Sequence, residues 1–166
     1  MEEYTDMDLE EFNKYLTEAL AKIPPEDKIK ICNNLEIILV LDFRKFQERE
    51  CHRAIDPRIE PDNSRYFKHL KKEARDINGH ERGGATVAVT NMNEPGRIVL
   101  INLFYEEIID FLGHEFAHVW YNHPEGLNCS PEAYQSSYTT LDDLAKAKAG
   151  KWGFNPELNF TPRRSI

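Results

Sequence analysis

The chain has 166 residues, 40% apolar and 30% charged, which is enough to bury one core and close to ordinary globular usage, so neither a fibrous nor a disordered class is favoured. Its 29 acidic against 21 basic residues give a formal charge of -8, a balance that repels phosphate backbones and anionic lipid, so neither nucleic acid nor a membrane is an expected partner. Three cysteines, Cys32, Cys51 and Cys129, without CxxC spacing, suggest neither a disulfide framework nor a thiolate zinc site.

Met1 to Asp8 is acidic and lacks the basic and apolar regions of an export signal, so a reducing cytoplasm is the expected compartment. Leu9, Phe12, Leu16 and Leu20 recur at helical spacing and stop at Pro24-Pro25, predicting a first amphipathic helix. The segment from Glu26 to about Arg53 reads as mostly helical, although the run Ile37 to Leu41 has the β-branched content of a strand. That run is too short to span a bilayer. Pro57, Pro61 and Asn63 mark a loop, and Tyr66, Phe67, Leu70, Ala74 and Ile77 predict a third helix ending at Asn78-Gly79. Lys68, Lys71 and Lys72 form its solvated charged face.

Alternating Thr and Val from Ala85 to Thr90 predict a strand after Gly83-Gly84. Asn93-Glu94-Pro95-Gly96 turns it into a second strand, Arg97 to Asn102, so the pair reads as a hairpin. A long helix from about Leu103 to Asn122 is apolar at Ile108, Ile109, Leu112, Phe116, Val119 and Trp120, and ends before Pro124 and Gly126. A loop with Asn128, Ser130 and Pro131 leads to a last helix from Thr140 to Lys151, with Gly153 as its stop. No repeat or linker interrupts residues 1–166, and a single domain is expected.

Residues 114 to 118 read His-Glu-Phe-Ala-His. On a helix, positions i and i+4 share one face, so the two imidazoles can converge on one cation, with the intervening glutamate about 100° away. Neutral imidazole suits zinc. A hydrolytic site takes three protein ligands and leaves a position for water, whose pKa the metal lowers to about 7. Glu115 then accepts the water's proton and returns it to the leaving amine. The alternative is a surface helix whose histidines are polar-face residues, but the apolar flanks from Ile108 to Trp120 point to a buried helix. His52, His69 and His80 lack ligand spacing.

The stretch Leu112-Gly113-His114-Glu115-Phe116-Ala117-His118-Val119-Trp120 resembles the active-site helix of the zincin metallopeptidases. The resemblance implies a minimal zincin fold, an α+β domain with a small hairpin-containing sheet packed on helices, in which the strand Gly84 to Thr90 lines the substrate cleft. It also implies one zinc ion and a protein or peptide substrate. In the metzincin branch a third histidine stands six residues after the second, where this chain has Pro124. His123, five residues on, is a helix-end histidine or a substrate-side group.

In the gluzincin branch the third ligand is an acidic residue on a following helix. The segment Asp142-Asp143-Leu144-Ala145-Lys146-Ala147-Lys148-Ala149, followed by Trp152-Gly153-Phe154, is similar to that branch's pattern. Asp142 falls on the ligand position. Aspartate replaces glutamate there, and Lys146 stands where a second acidic residue is usual, so Asp143 and Glu132 remain alternatives. Acidic residues following Thr139-Thr140 also suit a helix N-terminus. Tyr138, Tyr134 and His123 are candidates for oxyanion or substrate contact. Small cytoplasmic proteins of the ImmA/IrrE family look like the nearest functional analogues. Lys146 favours a rival reading, a degenerate zincin-fold binding or regulatory protein, and an amidase of the same metal chemistry is a further alternative.

Overall fold

The structure is a computed structural model and describes residues 2–5, 9–41, 82–91, 94–121 and 131–162. Within these residues the chain is a mixture of helix and strand. The elements run β1 (Glu2–Thr5), α1 (Leu9–Ala21), α2 (Pro25–Asn34), β2 (Leu35–Leu41), β3 (Gly84–Asn91), β4 (Glu94–Asn102), α3 (Ile108–Tyr121) and α4 (Pro131–Trp152). The loop at Pro57 to Asn63, the third helix expected from Tyr66 to Ile77, the lysines at 68, 71 and 72, and His52, His69, His80 and His123 lie outside the described residues.

The first helix forms where its apolar spacing places it. Phe12, Leu16 and Ala19 are buried along one stripe, and Glu10 and Glu11 occupy the first turn, where the helix dipole favours negative charge. Pro25 opens α2 with its ring at the first helical position, where the missing N–H has no partner to lose. The expectation of a mostly helical stretch from Glu26 onward is corrected at Leu35, because Leu35–Leu41 is a strand. An apolar run of this length carries no periodicity to separate strand from buried helix, and pairing on both sides decides the matter. β2 lies parallel to β1, with Glu3 opposite Ile38, and parallel to β4, with Ile38 opposite Val99.

The strand order is β1-β2-β4-β3. The expected hairpin is present as the antiparallel pair β3 and β4, with Thr86 opposite Val99 and Gly84 opposite Ile101, but Glu94, Pro95 and Gly96, expected as its turn, already pair with Asn91, Thr90 and Val89 as the start of β4. β1 was not expected, since Glu2-Glu3-Tyr4-Thr5 carries no apolar alternation. A parallel partner on one side holds it by main-chain hydrogen bonds.

The central helix α3 starts at Ile108 rather than Leu103. Asn102 ends β4 by accepting the Phe104 N–H on its Oδ1 at 3.0 Å and donating from Nδ2 to the Arg82 carbonyl at 2.9 Å. This local side-chain turn competes with the helix for the preceding backbone groups. Every residue of α3 from Phe111 to Val119 is buried, as in a helix enclosed by neighbours on all sides. The core joins Phe12, Ile31, Ile38, Val99, Leu112 and Phe116.

The last helix starts at Pro131, well before the Thr140 expected from the sequence. Thr139-Thr140 therefore lie inside the helix, and Asp142 is an interior residue rather than part of an N-terminal cap. Gly153 ends α4 at φ 99°, with its N–H donating to the Gly150 carbonyl and that of Phe154 to the Ala149 carbonyl. This is the pattern that closes a helix through a left-handed glycine. The turn drives Phe154 onto α3 at Gly113, where a Cβ would overlap the aromatic ring. Gly113→Ala should therefore cost about 1–3 kcal/mol by overpacking, read as a fall in Tm of roughly 2–10 °C for a chain of this size. An unchanged melting curve would show that the ring can step aside.

Candidate metal centre

The i, i+4 spacing places His114 and His118 on one face of α3, and their rings meet edge to face with centroids 4.8 Å apart. The Nε2 atoms are 3.2 Å from each other. Asp142 on α4 enters the same point, with Oδ1 at 2.7 Å from His114 Nε2 and 3.6 Å from His118 Nε2. The two histidines are 5% and 8% exposed, so the cluster is enclosed by protein on most sides. Ligand atoms of His114, Glu115 and His118 also lie within 4.8 Å of one another.

Three convergent polar atoms at these distances are held together either by a proton on one of the rings or by a cation between them. Tetrahedral zinc bonds of 2.0–2.2 Å require ligand atoms separated by about 3.3 Å, and the three separations here, 2.7, 3.2 and 3.6 Å, bracket that value. The donor set of two imidazoles and one carboxylate fits zinc chemistry. Without a cation, a proton on His114 Nε2 takes a share of the same role by donating to Asp142 Oδ1.

The ionisation of the pair follows from these contacts. Burial opposes a charge on His114, but the hydrogen bond to Asp142, then the negative charges of Glu115 and Asp142, outweigh it and raise the imidazole above its ordinary 6.5, with Lys146 acting in the opposite sense. Burial likewise pushes the Asp142 carboxyl upward. The hydrogen bonds of His114 and His118 with it, and then their charges, hold it well below its ordinary 3.8. Lys146 Nζ lies 3.5 Å from Asp142 Oδ2, one helical turn along α4, so this oxygen faces a cation of the protein while Oδ1 faces the histidines. Asp143, the neighbouring alternative, is exposed.

Glu115 is 4% exposed, and a buried carboxylate is costly unless its oxygens have donors. Thr86 on β3 supplies one, donating from Oγ1 to Oε2 at 2.6 Å. Gly84, two residues earlier and so on the same face of the strand, leaves the room: a Cβ there would stand 2.9 Å from Glu115 Cγ. Neither residue is visible as functional in the sequence, because the contact depends on how α3 crosses the sheet. A Gly-x-Thr pair in a strand next to the motif helix is the only trace. Tyr134, Tyr138 and Glu132 fall on the first part of α4, and their side chains, like His123, lie outside the described residues.

Comparison of the chain with protein-family models, curated proteins and solved structures finds no match.

Proposed function

We propose that the chain is a zinc-dependent metallopeptidase with a minimal zincin fold, in which His114, His118 and Asp142 hold the metal and Glu115 is the general base. One observation carries this reading: His114 Nε2, His118 Nε2 and Asp142 Oδ1 converge at 2.7–3.6 Å, with a buried glutamate adjoining them. Zinc bound there would polarise the scissile carbonyl and lower the pKa of a water molecule. Glu115 takes the proton of the attacking water and passes it to the leaving amine. Thr86 fixes one oxygen of that carboxylate and so orients the other. The mixed sheet fits the resemblance, with β3 at the end of the strand order beside Glu115. The substrate on this reading is a protein or peptide, as for the ImmA/IrrE family that the motif region resembles. Among the described residues no helix is long and apolar enough to cross a membrane.

The test is metal content of untagged protein after loading with zinc and dialysis. About one zinc per wild-type chain is expected, with loss in His118→Ala and in Asp142→Ala. Hydrolysis of a mixed peptide library should stop with a chelator and return with zinc. Zinc retained by Asp142→Ala would exclude the aspartate as third ligand.

A second reading, a zincin-fold binding protein without catalysis, is favoured by Lys146, whose ammonium adds positive charge beside the metal position. Stoichiometric zinc without hydrolysis of any library peptide would select it.

A further inference from the structure

Asp27 on α2 joins the two helices that carry the ligands of the cluster. Its Oδ1 accepts the indole N–H of Trp120 on α3 at 2.9 Å, and its Oδ2 accepts that of Trp152 on α4 at 3.0 Å. Trp120 is two residues beyond His118. Lys148 Nζ, on α4, lies 3.9 Å from Oδ2 and 3.8 Å from the Trp120 ring centroid, and Lys30 Nζ stands 3.8 Å from the same centroid. Burial opposes the charge on Asp27, but the indole donors and the two lysines hold its carboxyl below the ordinary 3.8. It is therefore a carboxylate accepting two charge-assisted hydrogen bonds.

The junction bears on the contact between α3 and α4. Among the described residues of α4 nearest Asp142 the buried ones are Ala145 and Ala149, whose small side chains permit close approach, so the Asp27 junction acts together with the seating of Phe154 at Gly113 in fixing α4 along α3. We propose that Asp27 is a positioning residue for the metal centre, its carboxylate setting the register of α4 on α3 and so the placement of Asp142 against the two histidines. This rests on the metal-centre part of the reading above and not on peptide hydrolysis.

The experiment is titration of metal-stripped protein with cobalt(II), whose visible absorption reports coordination geometry, well below the melting temperature. Asn at position 27 keeps the size but offers one acceptor to two indole donors. Asp27→Asn should bind cobalt about 10-fold more weakly, the lower end of the loss seen when supporting partners of metal ligands are removed, and with an altered visible band. Trp120→Phe and Trp152→Phe should each weaken binding less, and neither should weaken it further when combined with Asp27→Asn. A lower Tm with wild-type affinity and band would make Asp27 a structural residue only and overturn the proposal. Should Asp27→Asn fail to fold, the phenylalanine variants decide, and wild-type behaviour in both overturns it equally. Wild-type protein that takes up no cobalt would instead remove the metal-centre reading itself.

Discussion

Glu115→Gln should reduce peptide hydrolysis by about 10²–10⁴-fold, the usual contribution of a positioned general base, while retaining zinc at the wild-type level. The amide is nearly isosteric with the carboxylate, and its carbonyl oxygen can still accept the Thr86 hydroxyl, which now donates at 2.6 Å. Packing against Gly84 is also kept. What is lost is the ability to accept a proton from water. The three ligand atoms belong to His114, His118 and Asp142, so metal content is the internal control. Full activity in the variant would reject Glu115 as the base. Activity lost together with zinc would mean only that the cluster had been disturbed, and Glu115→Asp would then be the variant to compare.

Zinc and protons compete for the same three atoms, so the stability that zinc adds should shrink as pH falls. In stripped protein His114 has a raised pKa. Its contribution is fully present below its ordinary 6.5 and is lost as pH rises through the raised value. Asp142 is depressed below its ordinary 3.8, so its contribution is present above that value and is lost as pH falls through the depressed one. The pair therefore supports the stripped protein best between about 3.8 and 6.5. Zinc requires His114 neutral. Below the raised pKa each zinc displaces about one proton, and affinity should fall about 10-fold per pH unit. Calorimetric melting of both forms from about pH 8 to pH 5 should show the gap between their Tm values closing as pH falls. A gap that stays constant would mean that the metal lies elsewhere than on His114. Asp142→Asn should abolish the raised stability of the stripped form near pH 6.

The parts of this molecule readable from its residues are those whose geometry is local. His114 and His118 share a face because the helix repeat dictates it, and Leu9 to Leu20 declare their helix in the same way. The hairpin β3 and β4 was legible from alternation, but Glu94, Pro95 and Gly96, which read as its turn, belong to β4. Asp142 was reachable only through resemblance to a family pattern, since nothing local distinguishes it from Asp143. Its position eleven residues into α4 was hidden by Thr139-Thr140, which read as a boundary but lie inside the helix. Leu35 to Leu41 became a strand because two neighbours pair with it, and β1 exists for the same non-local reason. Thr86, Gly84 and Asp27 act on residues far along the chain through the crossing of whole elements, and no periodicity records that.

The junction at Asp27 also has an optical consequence. The chain contains two tryptophans, and both indoles donate to that single carboxylate. All of its tryptophan emission therefore originates at the meeting point of α2, α3 and α4. An unfolding curve followed by that emission reads the parting of three helices, whereas far-ultraviolet circular dichroism reads the backbone of every element. Coincident curves would mark one cooperative unit. An earlier loss of emission would show the helices separating while secondary structure persists.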